Sequence, residues 1–304
     1  MSKADTLDQQ ALQSAKRYMG EVAWPTIILG LSLGAGYLAI LAGSLTGQLP
    51  LWAAVPLMAS VTYLSYTVLH EAVHGSISGS HPSLRWINES LGYMAAWILM
   101  TPLTAHRHEH LAHHRHTNSA GEDPDFDVSK IRNAPVDAAL AALNVARGQY
   151  TYYVRHRWSR AQGKQNLYFC LEIAAAVLPR LGLLVAGYWQ EVVLLMGIAW
   201  LIGLAIVLYL FAYLVHRPHR DVGRYVDTST ILVPGRLHKL VTWLWVFQNY
   251  HSIHHLFSRV PFYHYVRLFD EIEPIMRAKG APIYQLTVRG MVASSREPEA
   301  AAAG

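Results

Sequence analysis

Apolar residues along this chain fall into long unbroken runs separated by short polar turns, unlike the half-apolar stripes of a soluble helix. From Trp24 to Leu45 the chain passes 22 residues without a charge. At ~1.5 Å per residue such a helix spans a ~30 Å hydrocarbon layer. The run is also longer than the roughly 7–15 apolar residues of a cleavable signal peptide, so a retained membrane helix is expected. Gly47 to Pro50 reads as a tight turn and Leu51–Leu69 as the return span. Two later runs, Leu167–Tyr188 and Val192–Val215, are separated only by Trp189, Gln190 and Glu191 and predict a second hairpin. The stretch Leu91–Leu103 is different. Its 13 residues cover only ~20 Å as a helix, which predicts a re-entrant or interfacial segment.

The polar segments complete the frame. Met1–Gly20 reads as a cytosolic lead-in with a short amphipathic helix. The stretch Pro135–Trp158 sets Val136, Leu140, Leu143, Tyr150 and Tyr153 at helical spacing beside Arg147, Arg155 and Arg157, a pattern suited to the headgroup region of a bilayer. Residues 1–290 are expected to form a single domain, and 291–304 an Ala-rich disordered tail. With 52% hydrophobic and 15% charged residues among 304, the composition is that of a polytopic membrane protein. Every lysine and arginine except Arg180 falls on one side of the predicted spans, which the positive-inside rule makes cytoplasmic. The fold class expected is therefore an all-α integral membrane protein: four transmembrane helices in two hairpins, a short re-entrant or interfacial helix, and a cytosolic helical cap. We expect a bacterial inner-membrane location with both termini cytoplasmic, and no nucleic-acid partner.

Chemistry concentrates in the 17 histidines. His110, His113 and His114 stand at i, i+3 and i+4, so their imidazoles share one helical face. His251, His254 and His255 repeat that spacing, and His70 and His74 stand at i, i+4. His216 follows the last span at the depth of His70, which places it beside the same site, with His219 as a competitor. The single cysteine, Cys170, lies in an apolar run and excludes cysteine-based zinc or iron–sulfur centres. Eight or nine imidazoles are too many for one tetrahedral zinc. Two irons share them with positions left for O2, and the di-iron site is expected within the cytosolic cap, at the membrane edge where a lipid can enter. Asp123 and Asp125 are candidates to hold the far ring nitrogens of the ligands, with a helix stop around Pro124 as the plain alternative. His106, His108 and His116 read either as similar supports or as part of a solvated helix; the latter is favoured for His106 and His108.

The sets His70-Glu-Ala-Val-His74, His110-Leu-Ala-His-His114 and His251-Ser-Ile-His-His255 resemble the three histidine boxes of the membrane fatty acid desaturase/hydroxylase superfamily. Arg115-His-Thr-Asn118 with Glu122-Asp-Pro-Asp125, Tyr213 to His219, and Gln248-Asn-Tyr-His251 are similar to its bacterial and cyanobacterial β-carotene hydroxylase branch. The run His251–His264 also resembles the third box of acyl desaturases, and Val215 stands where the family's Leu-Pro-His-Arg often has proline. The resemblance implies a non-haem di-iron centre with O2 as oxidant and electrons from a separate ferredoxin-like protein and its reductase. It leads us to expect hydroxylation of a carotenoid such as β-carotene, with fatty acyl desaturation as the alternative.

Two other classes share part of the pattern. His70-Glu71-x-x-His74 is also the signature of an intramembrane metalloprotease with Glu71 as general base, but two further histidine trios would then go unexplained. A metal transporter would hold its ligands near the bilayer midplane, whereas these follow the span ends.

Overall fold

A computed structural model describes residues 3–132 and 134–294. Helix α1 (Lys3–Lys16) leads into α2 (Trp24–Leu45), which Pro25 starts at a position where no helical N–H is needed. Helix α3 (Leu51–His74) follows the Thr46–Pro50 turn. It ends at Gly75 in the left-handed conformation (φ 70°), where a side chain is strained. The expected span to Leu69 thus runs on to His74, keeping His70 and His74 on one rigid helix. α7 (Gly163–Val185) and the long helix α8 (Trp189–Tyr213) complete a set of four helices long and apolar enough to cross a membrane. α8 is α-helical at Ala199–Val207 and widens to π-helix at Val192–Ile198 and Leu208–Tyr213. The second π segment ends three residues before His216.

Helix α3 is the hub, packing on α2, on α4 (Arg85–Leu99) and on α8. At its crossing with α8, a Cβ added to Gly203 would lie 2.6 Å from both Ala59 O and Thr62 Cβ. Only glycine lets the two backbones come this close. Two large apolar cores result, beside two smaller clusters among the described residues. One joins α2, α3, α4 and the start of α8; the other joins α1, α6 (Ala134–His156), the rest of α8 and the C-terminal helices α10 (His251–Leu256) and α11 (Tyr265–Ala278), which follow the short α9 (His238–Leu244).

Three expectations change. The Leu91–Leu103 segment is the end of α4, which starts six residues earlier, and the chain breaks at Met100 (φ 51°) before α5 (Leu103–His116). The carbonyls this break frees are taken up: Leu99 O accepts from the Trp200 indole at 2.8 Å and Met100 O from Tyr150 Oη at 2.5 Å. Arg180, the one Lys or Arg within the expected spans, bonds Trp97 O at 3.0 Å and lies over the Trp97 ring. Second, the fold is not all-α. β1 (Thr230–Leu232) pairs parallel with β2 (Ile283–Thr287), which pairs antiparallel with β3 (Gly290–Ala293). Strand β3 occupies the start of the expected disordered tail, whose remainder from 295 lies outside the described residues. Third, α6 buries small residues, Ala138, Ala141 and Ala142, and leaves Val136, Leu140 and Leu143 exposed. Its large apolar residues therefore face outward over one half, while Tyr150 and Tyr153 turn inward.

Candidate metal centre

Helices α3, α5 and α10 and the turn after α8 converge where the two cores meet, each delivering histidines from one face. His70, His74, His110, His114 and His254 place one ligand atom each within 4.8 Å of one another, and His113, His216 and His255 form a second such group. His251 belongs to neither. Its ring centroid lies 4.8 Å from that of His255 and 5.2 Å from those of His216 and His254, so it stands between the two groups. His219 lies outside both groups. A tight turn closed by its N–H on His216 O at 2.7 Å carries it against the Tyr213 ring.

The nitrogens themselves test whether a cation fits. In the first group the Nε2 atoms of His254, His114, His110 and His74 form a chain of contacts at 2.9, 3.1 and 3.0 Å. Protons can satisfy at most two of these three contacts, because each ring nitrogen donates only once. Neighbouring donors on an octahedral metal with bonds of about 2.1 Å lie about 3.0 Å apart, so a central cation satisfies all of them. Buried His70 has no hydrogen-bond partner on either nitrogen among the described residues, and neither His255 Nε2 nor His216 Nδ1 has one. Such orphaned imidazoles are rare unless a metal takes them. An all-imidazole donor set suits iron, zinc, copper or nickel, and groups of five and three nitrogens with His251 between them suit six-coordinate iron with room for oxygen.

The far ring nitrogens are held in place. His113 Nδ1 donates to Asp123 Oδ1 at 2.9 Å, and Asp123 also accepts from the backbone N–H of Asn118 at 2.8 Å and of Asp125 at 2.9 Å. Asp125 itself stays 3.8 Å from His113. His251 Nδ1 donates to Gln248 Oε1 at 2.7 Å, and His254 Nδ1 meets Tyr265 Oη at 3.1 Å. Burial lowers the basicity of His110, His114, His216, His254 and His255, and holds His251 at about 3, so these rings are neutral and ready to ligate. His113 runs the other way. Burial lowers it, but the Asp123 hydrogen bond and the Asp125 charge prevail and raise it to about 9.

Several groups here carry no sequence signal strong enough to single them out. His106, expected on a solvated face, is 4% exposed. Its Nδ1 lies 3.0 Å from Gln149 Oε1, and Gln149 Nε2 donates to buried Glu109. Gln149 comes from α6, 40 residues beyond Glu109, so no local spacing connects them. Gln248 was within reach, since it stands three residues before His251. Glu71 faces away from the histidines. It accepts from Thr26 Oγ1 at 2.5 Å and from the Phe262 backbone N–H at 2.7 Å. A protease base would point at the metal, so the geometry leaves Glu71 a structural tie between α2, α3 and the loop after α10.

With this arrangement in view, comparison with known proteins defines the class. Residues 46–287 match the fatty acid desaturase family, and the chain belongs to it. Among characterised proteins it is similar to the fatty acid conjugase FAC2 A of Calendula officinalis (24% identity over 68% of this chain and 63% of that one). It is likewise similar to a Delta(12) fatty acid dehydrogenase of Crepis alpina (23%, over 72% and 66%). A Delta(12)-acyl-lipid-desaturase of Punica granatum gives 25%, over 72% and 65%. The chain thus spans a little under two thirds of the length of the first of these relatives.

Proposed function

We propose that this protein is a membrane-embedded di-iron oxidoreductase that uses O2 to desaturate fatty acyl chains. The observation that carries the reading is the meeting of both histidine groups with a small, mostly apolar cavity of about 40 Å³. His70, His110, His113, His216 and His251 form one part of its wall, and Leu69, Leu99, Leu204, Val207, Leu208 and Phe211 the other. Those apolar residues strip water from a methylene chain and hold it beside the histidines, while the π segment of α8 supplies Leu208, Phe211 and Ala212. Iron bound to the two groups supplies, with O2, an oxidant able to take hydrogen from an unactivated C–H bond. In a desaturation, –CH2–CH2– loses two hydrogens. O2 takes these with two electrons and two protons and leaves as two waters. The electrons come from an external ferredoxin-like protein and its reductase.

The four apolar helices cross the bilayer as two hairpins, with both termini and the metal centre on the cytoplasmic side. An apolar groove between α6 and α8, lined by Ala138, Ala139, Ile202 and Ile206 among others, faces the lipid on this topology and supports substrate arrival from the bilayer. The named relatives act on fatty acyl groups, and on that ground acyl desaturation replaces carotenoid hydroxylation as the leading reading. The carotenoid reading rests on the Arg115–Asp125 motif together with Tyr213–His219 and Gln248–His251. Expression in a host with and without β-carotene, followed by mass spectrometry of lipids and pigments, separates them. New double bonds in phospholipid acyl chains with unchanged pigments are expected; oxygenated carotenoid with unchanged acyl chains overturns the proposal.

A further inference from the structure

The cavity beside the metal centre is apolar apart from its histidines, Tyr66, Thr101, Gln149 and Asp125. Two of those histidines belong to neither ligand group: His251, which lies among the ligands, and His106. His106 is 4% exposed, stands one helical turn before His110, and has its ring centroid 5.3 Å from that of His110. Its orientation is fixed from behind. Glu109 accepts from Gln149 Nε2, which turns Gln149 Oε1 toward His106. An amide oxygen can only accept, so His106 Nδ1 must carry the proton and Nε2 is left as a bare lone pair. That Nε2 is buried and has no partner among the described residues. Asp125 Oδ1, on the wall of the same cavity, is buried without a partner as well.

Two acceptors that stay unpartnered in a mostly apolar slot, with the Tyr66 and Thr101 hydroxyls bonded to neither, call for a neutral O–H donor. A buried acceptor left unpaired costs about 1–3 kcal/mol, and bringing an ammonium between apolar walls costs far more than bringing an alcohol. We propose that His106 Nε2 accepts a hydrogen bond from a hydroxyl borne by the lipid chain in this cavity, within a few carbons of the position presented to the metal centre. The inference rests on the reading of this cavity as the substrate site. It makes His106 a specificity-determining residue for hydroxylated chains. The hydroxyl has two sources: it is present on the chain when it arrives, or it is installed at the centre and held there afterwards.

The test is competition binding by the full chain in nanodiscs, without reductant. The probes are phosphatidylcholines whose octadecanoyl chain is plain or carries one hydroxyl at successive mid-chain positions. At least one positional isomer should bind about 2- to 10-fold more tightly than the plain chain, the range of a single hydrogen bond. His106→Phe should abolish the preference, while His106→Gln, which keeps an acceptor, should retain part of it. Bound iron must be unchanged in both. With reductant added, consumption of the preferred isomer assigns the hydroxyl to the substrate, and its persistence as an inhibitor assigns it to the product. Absence of any preferred isomer, a preference that survives His106→Phe, or loss of iron from His106→Phe overturns the proposal. A well acting only on bound water gives the first of these. Should His106→Phe not fold, Gln149→Met, which frees the His106 tautomer, must weaken the same preference. Because binding needs no turnover, failure of the desaturase reading leaves this result distinguishable.

Discussion

The second metal group depends on a carboxylate that is not a ligand, and its removal is the sharpest test of the centre. Asp123 is almost fully buried, with a side-chain exposure of 4%, and serves three donors: His113 Nδ1, Asn118 N and Asp125 N. In Asp123→Asn the preferred orientation keeps the carbonyl oxygen on His113 and Asp125 and turns an NH2 against the Asn118 N–H. The bond to His113 survives but loses its ionic character, which about halves it. A hydrogen bond to a charged group contributes about 1.5–3 kcal/mol, so the loss at His113 is roughly 1 kcal/mol or a little more. That corresponds to about a 10-fold weaker second ion. Asp123→Ala leaves all three N–H groups unpartnered and frees the His113 tautomer, so a loss nearer 100-fold is expected, at the upper end for such supporting groups.

The assay is a chelator titration of iron-loaded protein with metal counted at each step. Wild type should give up two ions per chain. Asp123→Ala should surrender one ion at a chelator strength that wild type resists, and keep the other on His70, His74, His110, His114 and His254. Asp125→Asn should resemble wild type, since Asp125 stands 3.8 Å from His113 and makes no hydrogen bond to it. Equal retention of both ions by Asp123→Ala and wild type would falsify the assignment of Asp123 as the support of the second group.

Other expectations follow from the same geometry. His113, held protonated up to about 9 in the metal-free protein, must lose its proton to ligate, so filling the second group near pH 7 should release about one proton and its affinity should rise with pH up to that value. Calorimetry in two buffers of different ionisation enthalpy measures this, and no proton release at that step refutes it. His216→Ala should lose one ion and most activity, whereas His219→Ala, outside both groups, should keep both ions; metal analysis of the two variants decides the order. Gly203→Ala forces a methyl against Ala59 O and Thr62 at the crossing of α3 and α8, and should lower stability by about 1–3 kcal/mol, read as a shift in thermal unfolding. Glu71→Gln should retain bound metal while loosening the fold; loss of metal with unchanged stability would return Glu71 to the metal.

How far the sequence reached can be followed residue by residue. Imidazoles at i, i+3 and i+4 face one way on any helix, so the sharing of a face by His110, His113 and His114 needed no tertiary knowledge. The spans were legible because length and lack of charge are local properties. Their ends were not. α3 runs past Leu69 to His74 because Gly75 in the left-handed conformation stops it, and a hydropathy count does not register a backbone stop placed beyond His70, Glu71 and His74. Depth was hidden too. His106, Arg107, His108 and Glu109 read as a charge-rich surface turn, yet His106 and Glu109 are buried and the residues between them are half-exposed.

What separates these residues is the partner opposite. α6 brings Gln149 to His106 and Glu109 across 40 residues or more of chain, and a buried polar group is tolerable only where such a partner satisfies it. Glu71 shows the same limit from the other side. In the sequence it completes a protease signature with His70 and His74, and helical geometry alone permits that reading. Its direction is settled by Thr26 and the Phe262 N–H, groups 45 residues before it and 191 after it. Local periodicity fixes which face a side chain shares; only the long-range partner fixes whether that face meets metal, lipid or another polar group. The residues where the sequence misleads are therefore those whose hydrogen bonds cross the fold, and at this centre they are the groups that orient the ligands.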